Sequence, residues 1–341
     1  MARLLIEHLT LRFGGLTAVN DVSIAIDPGQ IFAIIGPNGA GKTSLFNAIT
    51  GLHPPTAGRV LVDGREVRCA LTPGALLSWG GVGVATGVGA TLAINANALW
   101  DAAINPFAHL HPFPLAAAWQ AGVTALAGSG WWTLGPALAG AAVGAAAAAN
   151  AWRMGRRTPD VVARAGVART FQNIRLFRDL SVLDNVLVGM DRHLSARGWD
   201  AALRLPRHRR EEREARERAL DELSFVALAT VAHQPAGSLP YGHQRRLEIA
   251  RALATRPQLL LLDEPAAGMN PAEATKLMEL IRRIRDRGIT VILIEHHMRV
   301  VMGISDRIAV LHYGNKIAEG TPAQIRADPQ VIEAYLGKEE A

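Results

Sequence analysis

Short apolar runs alternate with amphipathic stretches along most of this chain. The runs "QIFAIIG", "LLLLDEP" and "ITVILIEHH" are continuous and end in glycine or polar residues, which is typical of strands buried on both faces of a parallel sheet. A helix beginning at Lys42 and the stretch "NPAEATKLMELIRRIRDRG" have the character of crossover helices. The N-terminal "MARLLIEHLTLRF" alternates like a strand and lacks the features of a signal peptide. The pattern predicts an α/β fold.

One internal segment departs from this pattern. Between residues 69 and 152 the only formally charged residue is Asp101, and six of the chain's seven tryptophans lie there. The composition changes abruptly on both sides, which indicates an insertion into a host domain. We therefore expect a discontinuous domain, residues 1–68 and 153–341, interrupted by a hydrophobic insertion at 69–152. The preceding "VLVDGREV" is expected to be an edge strand.

Composition and charge narrow the class of protein. Hydrophobic residues make up 49% of the chain and charged residues 19%, which fits a globular protein with an ample core. A single cysteine, Cys69, excludes an internal disulfide framework and a zinc cluster. The net charge of +6 indicates an anionic partner but does not choose among nucleic acid, nucleotide and lipid. The mixed-sign stretch "RLPRHRREEREARERALDEL" is typical of a solvated helix.

The clearest motif is "GPNGAGKT", which matches the phosphate-loop pattern G-x-x-x-x-G-K-[ST]. It follows a predicted strand and opens a predicted helix, so backbone N–H groups and the helix N-terminus would face phosphate oxygens. Lys42 would reach the β- and γ-phosphates and Thr43 would ligate Mg²⁺. The predicted ATP-binding residues are Gly36, Pro37, Asn38, Gly39, Ala40, Gly41, Lys42, Thr43 and Ser44.

Two carboxylates end the leucine-rich strand "LLLLDEP". Asp263 is placed to hold Mg²⁺, and Glu264 is the candidate that orients or deprotonates the attacking water. Buried carboxylates are costly unless they are paired or bound to metal, so this position favours a functional role.

Five further features resemble the ATP-binding cassette (ABC) ATPases. "LPYGHQRRLEIARAL" resembles the family signature, and "AAGMNP" resembles the loop that contacts the other subunit. Gln172 in "RTFQNIRLF", His296 in "ILIEHHMRV" and Phe13 in "LRFGGLTAVNDVS" stand where the family has its lid glutamine, switch histidine and adenine-stacking aromatic. The resemblance implies a P-loop NTPase fold with a helical signature subdomain.

The resemblance also implies the roles of the site residues. Glu264, His296 and Lys42 would be catalytic, and Thr43, Gln172 and Asp263 would hold Mg²⁺. Phe13 would stack on adenine, and a second subunit's ATP would be contacted by Tyr241, Gly242 and His243. The chain departs from the family pattern in the signature, where Pro240 replaces the serine and Tyr241 and His243 replace the first glycine and the glutamine. A γ-phosphate contact there must come from Gly242 or the neighbouring backbone. His297 directly follows His296, and the switch role is assigned to His296 because it comes directly after "ILIE", as in the family.

A finer resemblance is to the uptake branch for branched-chain and other hydrophobic amino acids, carried by "RTFQNIRLFRDLSVLDNVLVG" and "EGTPAQIRADPQVIEAYLG" among others. It implies a peripheral ATPase at the cytoplasmic face of the membrane, with ATP and Mg²⁺ as cofactors. Its partners would be membrane permease subunits, a second ATPase subunit in a homo- or heterodimer and, indirectly, an external solute-binding protein. Two alternatives stay open: a self-anchored ATPase coupled to a different membrane complex, and an ATPase acting on nucleic acid. The second is disfavoured because such proteins usually carry two cassettes.

The insertion has features of a membrane hairpin. Trp79–Trp100 and Trp132–Trp152 bracket uncharged segments of about 20 residues, or about 30 Å as helix, which is the thickness of the hydrocarbon core. Gly83–Gly87 and Gly140–Gly144 are G-x-x-x-G motifs that favour close helix packing. The flanking arginines at positions 65, 68, 153, 156 and 157 would place both ends in the cytosol.

The residue content of the insertion argues against this interpretation. Alanine and glycine give a weak drive into lipid, and asparagines at positions 95, 97 and 150 are costly there. Three interpretations of residues 69–152 therefore stay open: a membrane-embedded hairpin, a helical element packed on the ATPase or permease, and an insertion without a role.

Overall fold

In the computed structural model the chain divides into two units. The first comprises Met1–Val67 and Arg157–Ala341, and the second comprises Arg68–Arg156. The structure describes residues 2–67, 73–128, 130–154, 157–191 and 206–336. Arg68, Cys69 and Arg156 lie outside the described residues, and the side chains of Trp132 and Arg153 are likewise outside them.

A six-stranded sheet forms the centre of the first unit and confirms the predicted α/β fold. Its strand order is β10-β9-β3-β8-β7-β6, and all neighbours are parallel except β10 and β9. The predicted apolar runs are its central strands, and every residue of β3, β7 and β8 is buried. The strands are β3 (Ile31–Ile35), β6 (Val167–Arg169), β7 (Leu259–Asp263), β8 (Thr290–Ile294), β9 (Arg307–His312) and β10 (Asn315–Gly320).

Both faces of this sheet are covered, which explains why its strands are continuously apolar. Along β3, Ile31 and Ile35 belong to one hydrophobic cluster, whereas Phe32 and Ile34 belong to a second. Because successive side chains of a strand point to opposite faces, the strand contributes to both clusters. The polar residues that follow these strands are thereby held at the carboxyl edge of a rigid sheet.

A second sheet is antiparallel, with strand order β2-β1-β4-β5. Its strands are β1 (Leu4–Phe13), β2 (Leu16–Ile26), β4 (Ala57–Val62) and β5 (Arg65–Glu66). The stretch "VLVDGREV" is not the single edge strand that we expected. Asp63 and Gly64 both have positive φ, 50° and 72°, so the chain turns there and the stretch forms two paired strands, β4 and β5. Of these two, only β5 lies at an edge of the sheet.

Helices surround the six-stranded sheet. From Pro206 onward the Arg/Glu-rich stretch forms α8 (Pro206–Phe225), which buries Ala215, Ala219 and Leu223. An ion pair between Arg210 and Glu214 lies on its exposed side. The helices of the first unit are α1 (Lys42–Ile49), α6 (Pro159–Arg164), α7 (Val182–Met190), α8 (Pro206–Phe225), α9 (Tyr241–Ala254), α10 (Pro271–Asp286), α11 (Met298–Ile304), α12 (Pro322–Ala327) and α13 (Pro329–Leu336).

The secondary-structure elements described in the second unit are all helices. Helices α2 (Pro73–Ile94) and α5 (Trp131–Met154) pack against each other, and α3 (Ala96–Ala103) packs against α4 (Leu115–Gly128). One prediction was wrong in detail, because Trp79–Trp100 is not a single helix. Asn95 leaves the helical conformation at φ −97° and ψ 14°, and its amide donates 2.9 Å to the carbonyl of Thr91. Trp100 therefore lies on α3.

Candidate nucleotide site

The phosphate loop joins buried strand β3 to helix α1. Gly36 and Gly41 have φ of 151° and 94°, and a Cβ on Gly41 would lie 2.2 Å from the carbonyl oxygen of Ala18. Only glycine satisfies this close approach, which lets the loop close over the start of the helix. A cavity of about 490 Å³ lies over the loop, large enough for a small-molecule ligand. Its lining includes Asn38, Gly39, Ala40, Gly41, Lys42, Thr43, Ser44 and Glu264.

Lys42 is held inside the loop by the loop's own carbonyls. Its side chain is buried, and Nζ donates to the carbonyl oxygens of Gly36 at 2.8 Å and Pro37 at 3.0 Å. The ammonium group is therefore fixed where the backbone N–H groups of α1 begin. A fixed cation beside a helix N-terminus is an arrangement that binds phosphate oxygens.

Replacing Lys42 by alanine is expected to weaken ATP binding by about 10- to 100-fold, because a charge-assisted hydrogen bond contributes about 1.5–3 kcal/mol. Equilibrium binding of a fluorescent ATP analogue measures the change. Lys316→Ala is a matched control, because Lys316 pairs with Glu319 on β10 and does not line the cavity. Equal affinity of Lys42→Ala and the wild type would contradict the assigned role.

Glu264, Gln172 and His296 come together at the edge of this cavity. The amide Nε2 of Gln172 donates 2.8 Å to Oε2 of Glu264, and Nδ1 of His296 lies 3.7 Å from the same oxygen. The backbone of Glu264 is in the left-handed region, at φ 44°, and its N–H donates 2.9 Å to the carbonyl of Ile294. Such strain in a residue other than glycine is typical of functional sites. Three side chains that were predicted from separate motifs therefore lie together around Oε2 of Glu264.

The two neighbouring histidines face different carboxylates. His297 Nδ1 lies 3.4 Å from Glu295, whereas His296 lies beside Glu264. Glu295 is fully buried, and its carboxylate accepts hydrogen bonds from the backbone N–H groups of Ala266 at 2.8 Å and His296 at 3.1 Å. These hydrogen bonds connect the end of β8 to the loop that follows Glu264. No role was predicted for Glu295, although its position at the end of an apolar strand is visible in the sequence.

Asp263 is buried at the end of β7 and pairs with Arg169. The guanidinium Nη2 of Arg169 donates 2.7 Å to Oδ2 of Asp263, and its Nη1 donates 2.7 Å to the side chain of Asn47 on α1. Arg169 was missed by the sequence analysis, and it links β7 to the helix of the phosphate loop. The oxygen donors of Asp263, Thr43 and Gln172 are of the type that suits Mg²⁺.

The signature begins helix α9, with Pro240 as its N-cap. The carbonyl of Pro240 accepts hydrogen bonds from the N–H groups of His243 at 2.9 Å and Gln244 at 3.0 Å. The missing N–H of Pro240 therefore costs the helix nothing, and the N–H groups of Tyr241 and Gly242 stand at its start. Burial lowers the pKa of His243 below its ordinary value, and the charge of Arg246 adds to this effect. Gly242 and His243 line a different cavity from the phosphate loop.

A buried ion pair holds the segment that carries Gln172. Arg245, fully buried on α9, pairs with Glu248 at 2.8 Å and donates to the backbone carbonyls of Phe171 at 2.6 Å and Gln172 at 2.7 Å. The signature helix is thereby connected directly to the lid segment. No role was predicted for either charged residue, because the backbone groups that they bond lie about 70 residues away in the chain.

Phe13 lies at the end of β1 and is partly exposed. Its ring packs edge-on against His53, with the centroids 5.2 Å apart. The neighbouring residues Leu16, Thr17 and Ala18 line the cavity over the phosphate loop, and Phe13 itself is not among the lining residues.

Comparison with known proteins identifies the family of the chain. The family model for ABC transporters matches residues 19–78 and 136–267. The chain is 37% identical to the high-affinity branched-chain amino acid transport ATP-binding protein BraF of Pseudomonas aeruginosa, over 98% of this chain and 97% of that protein. It is 36% identical to the corresponding protein LivG of Escherichia coli, over the same shares. The chain belongs to the ABC transporter ATPases.

Solved ABC cassettes share the fold of this ATPase. A crystal structure of the ADP conformation of an ATP-binding cassette of an ABC transporter superposes with a TM-score of 0.63 at 24% identity, covering 99% of each chain. The family model leaves residues 79–135 unmatched, so most of α2, α3 and α4 lies outside what the model matches.

The C-terminal part of this ABC ATPase matches a family model of its own. The model for the branched-chain amino acid ATP-binding cassette transporter covers residues 315–341. Within this part, burial raises the pKa of Tyr335 to about 12, and the backbone of Gly36 opposes the shift. Pro37 and Asn38 of the phosphate loop line one cavity together with residues of α13. Helix α13 therefore lies beside the phosphate loop, with the Tyr335 hydroxyl protonated at neutral pH.

Proposed function

We propose that this ABC ATPase hydrolyses Mg²⁺-ATP to drive uptake of branched-chain amino acids through a membrane permease. The observation that carries the proposal is the contact of Glu264 with Gln172 and His296 at the edge of the phosphate-loop cavity. The substrate class is supported by the relatives in Pseudomonas aeruginosa and Escherichia coli, both named as branched-chain amino acid transport proteins.

The chemistry follows from the placement of the charged groups. Oε2 of Glu264 would accept the proton of a water that attacks the γ-phosphate, and His296, 3.7 Å away, would hold that water and the phosphate in line. Lys42 would offset the negative charge that develops on the phosphoryl oxygens. Gln172 donates to Glu264 and so orients the base before the nucleotide is hydrolysed.

The oxygen donors near the loop fit a magnesium ion. Thr43 at the start of α1, Asp263 at the end of β7 and the amide oxygen of Gln172 would hold it. Mg²⁺ would neutralise charge on the β- and γ-phosphates. Arg169 fixes the carboxylate of Asp263 through Oδ2, so this side chain is already oriented toward the helix of the phosphate loop.

The signature supports a site completed by a second subunit. Gly242 and His243 line a separate cavity on their own chain, so we propose that they meet the γ-phosphate bound by a partner ATPase subunit. The start of α9 presents backbone N–H groups and the positive end of the helix dipole, which attract an anion. This role does not require the serine that Pro240 replaces.

Deleting the gene in its own organism is expected to reduce uptake of radiolabelled leucine, isoleucine and valine. A wild-type copy should restore uptake, whereas a Glu264→Gln copy produced at the same level should not. Glu279→Gln is a matched control, because Glu279 is exposed on α10. Lysine uptake, measured in parallel, is expected to stay unchanged.

Unchanged uptake of all three amino acids in the deletion strain would contradict the proposed substrate class. The second candidate function, an ATPase coupled to a different membrane complex, would then be favoured. This second candidate is favoured by the second unit, which contains two helices long and apolar enough to cross a membrane. The family model for ABC transporters leaves residues 79–135 of that unit unmatched.

A further inference from the structure

The second unit has an unusual distribution of apolar surface. A helix that is apolar on every side is found either in the core of a protein or in a membrane. Helices α2 and α5 contain two uncharged spans, Leu76–Ile94 and Leu134–Trp152, and only 11% and 6% of their residues are buried. Large apolar side chains are exposed along both: Leu76, Leu77, Val82, Val84, Val88, Leu92, Ile94, Leu134, Leu138 and Val143.

From this we infer that α2 and α5 form a hairpin that crosses the lipid bilayer twice and anchors the ATPase in the membrane directly. This inference goes beyond the proposed transport function and does not depend on it. The helices have 22 and 24 residues, about 33 and 36 Å at 1.5 Å per residue. The hydrocarbon core of a bilayer is about 30 Å thick, so each helix is long enough to cross it.

The contact between the two helices is of the type that membrane proteins use. A Cβ on Gly87 would lie 2.6 Å from the carbonyl oxygen of Ala137, and one on Gly140 would lie 2.7 Å from that of Thr86. The glycines of both G-x-x-x-G motifs therefore lie in the interface, as the sequence predicts. The hydroxyl of Thr86 lies 2.8 Å from the carbonyl of Gly140 across the two helices. It also lies 2.9 Å from the carbonyls of Val82 and Gly83 in its own helix, so its single proton is shared among three acceptors. Small residues and such hydrogen bonds associate helices in lipid, where apolar surface alone does not.

The three asparagines of residues 69–152 disfavour entry into lipid, but they lie where placing an amide in the bilayer costs little free energy. Asn95 is buried, and its amide donates to the carbonyl of Thr91. Asn97 lies on α3, beyond the end of the first span, and Asn150 lies in the last turn of the second span. None of the three is exposed near the middle of a span, where an unsatisfied amide would be most costly.

The ends of the hairpin have interfacial residues. Trp79 and Trp152 pack edge-on at one end, with ring centroids 5.4 Å apart, where the chain joins the first unit. Trp100 and Trp119 are exposed on α3 and α4, which connect the other end. Tryptophan concentrates at both membrane interfaces, and arginine favours the cytosolic side. Exposed Arg65 precedes the hairpin and Arg157 follows it, so both ends belong to the cytosolic side.

Membrane retention without a permease tests this inference. The full-length protein, reconstituted alone in vesicles of phosphatidylethanolamine and phosphatidylglycerol, is expected to stay with the vesicles after an alkaline carbonate wash. Val84 and Val143 are exposed near the middle of the two spans. Replacing each by arginine should lower the ratio of retained to extracted protein by about 100-fold per substitution. Val188→Arg, at an exposed valine of the first unit, is the matched control and should be retained like the wild type.

The crossing itself is tested by labelling in intact cells. With Cys69, the single cysteine, changed to serine, His109→Cys places a thiol between α3 and α4, and Glu279→Cys places one on the first unit. An impermeant maleimide added outside is expected to label position 109 but to label position 279 only after permeabilisation. Extraction of the wild type by carbonate would overturn the inference, as would retention without labelling of position 109 from outside. Neither readout depends on ATP hydrolysis or amino-acid uptake.

Discussion

Replacing Glu264 by glutamine is expected to lower the rate of ATP hydrolysis by about 100- to 10,000-fold, because general-base catalysis contributes a factor of that size. ATP binding should persist, since glutamine has the same size and its amide oxygen can still accept the hydrogen bond from Gln172. What the variant loses is the carboxylate that accepts the proton of the attacking water. The rate of phosphate release, together with the dissociation constant of ATP, measures both effects.

Two controls separate this effect from misfolding. Glu279→Gln changes an exposed carboxylate on α10 and should hydrolyse ATP at the wild-type rate. A double variant, Lys42→Ala with Glu264→Gln, should in addition bind ATP weakly. Hydrolysis by Glu264→Gln at the wild-type rate would transfer the role of base to another group, and His296 is then the first to test because it lies 3.7 Å from the same oxygen.

Replacing Arg245 by leucine is expected to destabilise the first unit by about 3–5 kcal/mol, the usual effect of removing one partner of a buried ion pair. The carboxylate of Glu248, 2% exposed, would lose the guanidinium that pairs with it. The carbonyls of Phe171 and Gln172 would lose their donors as well. Hydrogen exchange of the β7 amides, which reports opening of the core, measures the loss of stability.

The matched variants isolate the ion pair. Arg245→Leu combined with Glu248→Leu should recover most of the stability, because no uncompensated charge then remains buried. Arg210→Leu removes an exposed partner of Glu214 on α8 and should change stability by less than about 0.5 kcal/mol. The exchange of amides 171–175 should rise both in Arg245→Leu and in the double variant, because both lack the donors to the carbonyls of Phe171 and Gln172. Equal exchange in all four proteins would show that the pair does not hold the lid segment.

Much of the first unit could be predicted from local patterns. The runs that end at Ile35, Asp263 and Ile294 are continuous because both faces of their sheet are covered, and this continuity is visible in sequence. The phosphate loop was equally readable, since its glycines, lysine and threonine act within eight consecutive residues. The roles of Phe13, His296 and the signature came instead from resemblance to the ABC ATPases, because no local pattern specifies them.

Other features required the folded chain. Arg169 and Arg245 each join segments more than 70 residues apart, and sequence spacing does not reveal which backbone carbonyl or carboxylate a buried guanidinium will find. Pro240 was recognised only as the residue that replaces the signature serine, and the structure shows that it is the N-cap of α9. The end of α2 at Ile94 was also missed, because it depends on one amide that bonds back to its own helix.

The insertion shows most clearly which features the sequence determines and which features only the folded chain determines. By itself, the sequence determined that residues 69–152 are uncharged apart from Asp101, rich in tryptophan and long enough for two membrane crossings. It did not determine whether their apolar side chains point into a protein core or outward, because alanine, glycine and valine serve equally well in both. Only the tertiary structure decided that point: α2 and α5 use their glycines against each other and leave their larger apolar side chains exposed. Burial depends on contacts between distant segments, whereas composition is a property of each segment alone.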